Sequence, residues 1–328
     1  MNALDTAASE RSERLQRKLI RELGATVMEA LSDAEVVEIC LNPDGALWLE
    51  RLGAPMVRAG TMPAAAAEAL ISTLATCLGT SITREHPILE GELPTDGSRF
   101  EGLIPPVVCA PVFAIRRKAS AVFTLEHYVR AGIMDERERC CLERAIGERQ
   151  NILVVGGTGS GKTTLVNALI EAIARRHPDH RLVIVEDTAE LQCAAPNAVL
   201  LHATDTVDLE RLVRATMRLR PDRILVGEVR GSEALALLKA WNTGHPGGVA
   251  TVHANSAAAG LVRLEQLIAE ATQSPTQALI AEAVDLVVAI EKTARGRRLA
   301  EILGVTGYRD GAYLTHTLFD GRTREIGA

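Results

Sequence analysis

The sequence predicts a two-part protein, a C-terminal α/β domain on a parallel sheet preceded by a smaller α+β unit, and three observations carry that prediction. From about residue 136 short apolar strands alternate with helices, the order that a parallel sheet with helices on both faces requires. A glycine-rich loop joins the first of those strands to the first helix. Before residue 130 a hairpin, one helix and scattered strands follow one another without that alternation. A chain of 328 residues is long enough for about two domains. The expected division is an N-terminal unit over 1–130, a linker over 131–140 around Ala131-Gly132, and the α/β domain over 141–328.

In the first part, Leu15, Leu19, Ile20 and Leu23 recur at helical spacing with Arg11, Arg14, Arg17, Lys18 and Arg21 between them. The apolar stripe is assigned to packing on its own domain; a basic helix lying on an anionic membrane surface is the other reading. Residues 36–41 and 46–51 flank Pro43-Asp44-Gly45 and read as a hairpin. A helix over 63–78 and strands over 100–104 and 112–116 complete the unit. In the second part, strand 152–155 precedes a helix over 163–175. Then come strand 182–186, helix 208–219, strand 224–227, helix 233–242, strand 249–253 and a helix over 257–270. Segments 285–290, 299–305 and 312–318 read as an added antiparallel edge.

Composition narrows the function classes. Apolar residues make up 47% and charged residues 24%, a packed globular mix that rules out a disordered or fibrous chain. No apolar run has the roughly 18 residues of a membrane span, and the N-terminus lacks a secretory pattern. The net charge of −6 and aromatics at only 3% give nucleic acid little to bind, so no direct nucleic-acid binding is expected. Cys40, Cys77, Cys109, Cys140, Cys141 and Cys193 form no CxxC pair and read as reduced, mostly buried thiols of a cytoplasmic protein.

Gly156-Gly157-Thr158-Gly159-Ser160-Gly161-Lys162-Thr163 fits G-x-x-x-x-G-K-[ST], followed by Thr164. Glycines let backbone N–H groups close around phosphate, and the following helix points its positive end at the same place. Lys162 would bridge the β- and γ-phosphates of ATP, and the Thr163 hydroxyl would ligate Mg²⁺. A second strand end carries Gly227-Glu228, where a carboxylate can orient the attacking water. An aspartate usually ends that strand in P-loop enzymes. Its absence leaves Glu186 and Asp187, at the neighbouring strand end, to act on the metal through water. His253 closes a further strand within 244–255 and is read as a γ-phosphate contact. Arg211, Arg214 and Arg218 share one helix face, read equally as a solvated stripe or a subunit contact. Lys118 and the arginines at 295–298 are given no role.

The order of these segments resembles the secretion traffic ATPases, in which the three after the P-loop are called the Asp box, atypical Walker B and His box. RLRPDRILVGEVRG and TGHPGGVATVHANS are most similar to the type IV secretion and conjugal transfer branch, the TrbB-like proteins. The motifs span about residues 150–256, and residues 30–130 match the family's N-terminal pattern more weakly. The resemblance implies a RecA-like domain that hydrolyses ATP to ADP and phosphate. It implies a homohexameric ring peripheral to the cytoplasmic face of the inner membrane, with inner-membrane components of a transfer machine as partners. It also implies that N-terminal-domain arginines reach the phosphates. The matching residues are Arg99 and Arg116, with Arg117 the alternative to Arg116, since a one-residue shift exchanges strand faces. Lys162, Glu228, His253, Glu186, Arg99 and Arg116 form the expected catalytic set. A type IV pilus or type II secretion-like motor and a DNA-translocating ATPase are the competing readings. Gly231, where pilus motors commonly carry an acid, argues against the first.

Overall fold

A computed structural model describes residues 3–51, 54–117, 123–204, 206–293 and 296–321, with side chains from residue 13 onward. The chain divides into two compact units, Met1–Ser120 and Ala121–Ala328. Lys118 and Arg295 lie outside the described residues, as does the side chain of Arg11.

The first unit runs α1 (Ala3–Ser32), β1 (Val36–Leu41), β2 (Ala46–Arg51), β3 (Val57–Thr61), α2 (Ala64–Cys77), β4 (Ile88–Glu92), β5 (Arg99–Leu103) and β6 (Val112–Arg116). Its strands form one antiparallel sheet in the order β3-β2-β1-β6-β5-β4. Strand side chains alternate between the two faces. Ile39, Leu41, Leu47, Leu49, Phe100, Phe113 and Ile115 pack with Leu19, Leu23 and Val27 of α1 and Leu70, Ile71 and Leu74 of α2. The other face carries Glu38, Trp48, Arg99 and Arg116. Helix α1 bends at Gly24 (φ 73°), yet its buried stripe continues through the bend at Leu19, Leu23, Val27, Ala30 and Leu31, while Ile20, expected in the same stripe, is exposed.

The second unit runs α3 (Leu125–Arg130), α4 (Glu136–Gly147), β7 (Ile152–Gly156), α5 (Lys162–Arg176), β8 (Leu182–Glu186), β9 (Ala198–His202), α6 (Leu209–Thr216), β10 (Arg223–Val226), α7 (Glu233–Asn242) and β11 (Val249–His253). It ends with α8 (Ala257–Ala269), α9 (Gln277–Ala283), β12 (Leu286–Thr293), β13 (Gly296–Arg309) and β14 (Ala312–Asp320). The eight strands order as β14-β13-β12-β7-β11-β10-β8-β9, parallel from β12 through β9. Leu153 and Val155 enter a core with α7, α8 and α9, while Ile152 and Val154 face α3, α4 and α5. Both faces are thus covered, the α/β arrangement that the alternation predicts.

Three expectations need correction. Residues 131–140 are not a linker: Leu125, Tyr128 and Met134 are buried in the second unit's core, and Asp135 caps α4 through the Glu138 N–H at 2.8 Å. The antiparallel edge starts one strand later than expected, because β12 pairs parallel with β7 and antiparallel pairing begins only at β12–β13 and continues at β13–β14. Helix α6 ends at Thr216, so Arg218 sits in the following turn rather than on the helix with Arg211 and Arg214; all three are exposed.

At the amino-terminal end of β10, Arg223 is 0% exposed. It donates to the carbonyls of Gly247 (2.9 Å) and Ile146 (2.8 Å) and to His180 Nδ1 (3.2 Å). Burial, with Arg149 nearby, pulls its pKa down to about 10, which still leaves it charged at neutral pH. His180 stacks on His177 at 4.4 Å, and burial followed by Arg223 holds both imidazoles below their ordinary pKa. The unfolded chain therefore takes up protons here before the folded one does, so stability is complete above about pH 6.5 and declines as pH falls below it. Urea midpoints at pH 7.5 and 5.5 should show that decline, and His180→Asn should reduce it. An unchanged pH slope in the variant would remove the assignment.

Candidate functional site

Parallel strands present their carboxyl ends on one edge, where ligands of open α/β sheets bind. Here β7, β8, β10 and β11 end at Gly156, Glu186, Val226 and His253, and His253 lies in register with Gly156. The chain leaves β7 through a loop that only its glycines permit. A Cβ on Gly156 would meet Ile290 O at 2.3 Å and Ser160 Oγ at 2.5 Å, and Gly159 and Gly161 hold φ of 68° and 101°. Helix α5 then starts with no side-chain cap and no acid in its first turn, leaving its N-terminal amides for an anion. Gly157, Thr158 and Gly159 are exposed at the tip, while Thr164 lies half-buried in the first turn. Ser160 is 3% exposed and its buried hydroxyl has no partner among the described residues. The loop is a nest shaped for phosphate.

Lys162 is 8% exposed, and its Nζ donates to the carbonyls of Gly156 (3.0 Å) and Gly157 (3.2 Å). The same nitrogen lies 3.2 Å from His253 Nδ1, and His253 Nε2 lies 2.6 Å from Glu228 Oε1. Burial, then the Lys162 charge, holds His253 below its ordinary pKa. A neutral ring accepts from Lys162 at Nδ1 and places Nε2 in close contact with Glu228 Oε1, a buried oxygen that has no aligned hydrogen-bond donor among the described residues. The other Glu228 oxygen accepts from Arg230 Nε at 2.7 Å, and Arg230 Nη1 meets Asp187 Oδ2 at 2.6 Å. One chain of polar contacts thus runs from Lys162 through His253, Glu228 and Arg230 to Asp187. It joins the P-loop to the ends of three strands.

Glu186 stands differently from expectation. Its carboxylate is 1% exposed and accepts the N–H groups of Glu190 (2.8 Å) and Leu191 (2.9 Å). It anchors the loop after β8 rather than facing the phosphate site. The loop instead presents Glu190, whose Oε2 accepts the Thr163 hydroxyl at 3.2 Å. Asn167 of α5 holds that loop from both sides, donating to the Glu190 carbonyl (3.3 Å) and accepting from the Gln192 N–H (2.8 Å). Sequence reasoning missed Glu190 and Arg230 as site residues. The available signal was spacing: Arg230 is two residues past Glu228 in extended chain, so the two side chains share a face.

A third missed residue, Arg297 of β13, lies against the P-loop. Its Nη2 donates to Gly159 O at 3.4 Å, its Nε is buried without a partner among the described residues, and a Cβ on Gly161 would meet its Cδ at 3.0 Å. No local pattern could have placed it, because only the β7-β12-β13 order brings it there.

Arg99 and Arg116 belong to the first unit. They lie directly opposite one another on β5 and β6, on the face away from the helices, with Glu92 across from Arg99 and Glu38 across from Arg116. Arg117 turns elsewhere, donating to the carbonyls of Asp33 and Val36. Of the two alternatives, Arg116 is therefore the one beside Arg99. Among the cysteines, Cys141 is buried while Cys109 and Cys140 are exposed, so the expectation of mostly buried thiols holds only in part.

The donor set near Thr163 suits Mg²⁺: a hydroxyl and a carboxylate, both hard oxygen ligands. Among the described residues no group of three or more His, Cys, Asp or Glu would hold a metal ion alone. Mg²⁺ normally takes one or two carboxylates plus substrate phosphates, so the residues present fit a metal shared with a nucleotide.

Fold and site together define a P-loop nucleotide-binding protein. The chain belongs to the Type II/IV secretion system protein family, which it matches over residues 24–299. It is 57% identical over 300 residues to a Sinorhizobium fredii protein described as a probable conjugal transfer protein TrbB, with 92% of each chain covered. Among solved structures it resembles the Yersinia pseudotuberculosis ATPase DotB with a TM-score of 0.62 and 20% identity, covering 85% of this chain and 78% of that one. The pilus retraction motor PilT with bound ADP follows at 0.59 and 18%, covering 92% and 84%. At these identities the two structures speak for the fold, and they bear out the two-part α/β architecture read from the sequence.

Proposed function

We propose that this chain is an ATP-hydrolysing motor of a conjugative transfer or type IV secretion apparatus. The observation that carries the enzymatic half is the contact chain from Lys162 through His253 to Glu228. It sets a phosphate-binding cation and a carboxylate base on either side of one imidazole, above an open phosphate nest. The 57% identity to a conjugal transfer protein supports the conjugative half. The family relationship supports a homohexameric ring at the cytoplasmic face of the inner membrane, partnered by membrane components of the machine. Among the described residues no helix is long and apolar enough to cross a membrane.

The steps assign work to this chain's own groups. Lys162 exchanges its two carbonyl partners for β- and γ-phosphate oxygens, and the amides of 157–163 cradle the β-phosphate. When bound, Mg²⁺ would neutralise phosphate charge beside Thr163 and Glu190. Glu228 orients the attacking water and takes its proton, while His253 holds Glu228 and senses the γ-phosphate position. Glu186 keeps the Glu190 loop in place. Arg99 and Arg116 bring positive charge from the N-terminal unit to the transferring phosphoryl group, where a desolvated guanidinium is most effective. Hydrolysis coupled to domain motion, as the family resemblance implies, would supply the stroke.

The test is phosphate release by the purified protein across a concentration series, with Lys162→Ala alongside. Turnover should disappear in the variant, and turnover per subunit should climb with concentration as rings assemble. Wild-type turnover no higher than that of Lys162→Ala would overturn the enzymatic reading. Plasmid transfer in a strain lacking this protein, restored by the wild-type chain and not by Lys162→Ala, tests the conjugative half.

A further inference from the structure

We infer that Arg230 is a positioning residue that fixes the Glu228 carboxylate and ties it to the loop after β8. This deepens the proposed function, because it rests on Glu228 acting as the base.

Three observations place Arg230 in that part. Its guanidinium is divided between two carboxylates from different strand ends: Nε and Nη2 lie 2.7 and 2.5 Å from Glu228 Oε2, and Nη1 lies 2.6 Å from Asp187 Oδ2. A fork of fixed geometry holds two anions at a set separation, which a flexible ammonium does not do. The main chain beneath the fork is itself held. Glu233, 6% exposed at the start of α7, accepts the N–H groups of Arg230 (2.5 Å) and Gly231 (2.9 Å) through one oxygen. Finally, Glu228 has few alternatives. It is 15% exposed, with His253 against one oxygen and Arg230 against the other, so its orientation is set by those two contacts.

The consequence is mechanical. Asp187 opens the same loop that carries Glu190 to Thr163, so a shift of that loop reaches Glu228 through Arg230. The base is then aimed when the loop at Thr163 is in place, without Arg230 touching nucleotide. Binding and turnover should therefore separate when the fork is removed.

The experiment compares Arg230→Gln, Arg230→Lys, Glu228→Gln and the Arg230→Gln/Glu228→Gln pair, reading single-turnover hydrolysis and the affinity for a fluorescent ATP analogue. Amide exchange of residues 187–191 in nucleotide-free protein is the third readout. Arg230→Gln should lower the hydrolysis rate about 10- to 100-fold, as losses of supporting partners commonly do, with analogue affinity close to wild type. Arg230→Lys should recover part of the rate, since it reaches one carboxylate and not both. In the Glu228→Gln background the same change should cost almost nothing further, because the group it positions is gone. Exchange at 187–191 should rise in Arg230→Gln even without nucleotide. A wild-type rate in Arg230→Gln, an affinity falling in step with the rate, or an undiminished cost in the Glu228→Gln background would each overturn the inference. Exchange at 187–191 unchanged by Arg230→Gln would remove the link to the loop. If the wild-type chain hydrolyses nothing, the proposed function fails on that result, while the exchange readout still decides whether Arg230 holds the loop.

Discussion

Replacing Glu228 with glutamine is expected to lower ATP turnover by about 100-fold or more while nucleotide still binds. The amide keeps the shape of the side chain, and its oxygen can still accept from Arg230. It carries no charge to draw a proton from water, so the loss should fall on the chemical step rather than on binding. Phosphate release alongside binding of a fluorescent ATP analogue separates the two. Near-normal turnover would move the base elsewhere, with Glu190 the next carboxylate in the site. A parallel loss of binding would mean that Glu228 holds up the phosphate nest through His253 and Lys162.

The second large effect is on stability. Arg223→Ala is expected to destabilise the second unit by about 3 kcal/mol, because it leaves the Gly247 and Ile146 carbonyls without that donor and opens a cavity under β10. For a unit of this size that corresponds to a fall in melting temperature on the order of 10 °C. Arg223→Lys should recover only part of the loss, since one ammonium cannot reach two carbonyls and His180 with the same geometry. Thermal unfolding followed by circular dichroism measures both variants. A melting curve for Arg223→Ala that overlays the wild type would show that the buried charge costs as much to bury as its hydrogen bonds return.

The elements legible in the sequence are those with two buried faces or a dedicated backbone motif. β7, β8, β10 and β11 are short, mostly apolar runs whose carboxyl ends fall at Gly156, Glu186, Val226 and His253, and the P-loop between β7 and α5 is specified by its glycines. Those runs gave the α/β class and put Lys162, Glu228 and His253 on one edge. The strands that sequence reasoning missed, β3, β4 and β9, are all sheet edges with mostly exposed or half-exposed side chains. An edge strand buries too little to leave a clear alternation, so its sequence looks like loop.

The site divides along a similar line. Residues recruited through a motif were found, whereas Glu190, Arg230 and Arg297 were missed because their roles come from contacts made after folding. Glu186 shows the converse. A carboxylate at a strand end is the right chemistry in the right place, but its burial and two backbone donors give it to the loop. The 131–140 segment misled for a related reason. Ala131-Gly132 does mark a turn, yet the turn joins two helices of one core rather than two domains.

Asn167 shows how a residue with no part in the chemistry can govern the site. Its amide clips the 190–192 segment to α5, the helix whose first turn is the phosphate-binding end. Lys162, Thr163 and the clip share one rigid rod, so a small tilt of that rod as phosphate enters would carry the Glu190 loop with it. The helix thus behaves as a lever with its load at one end and a linkage five residues along. Shortening or loosening that linkage would detune the site from within the protein's interior.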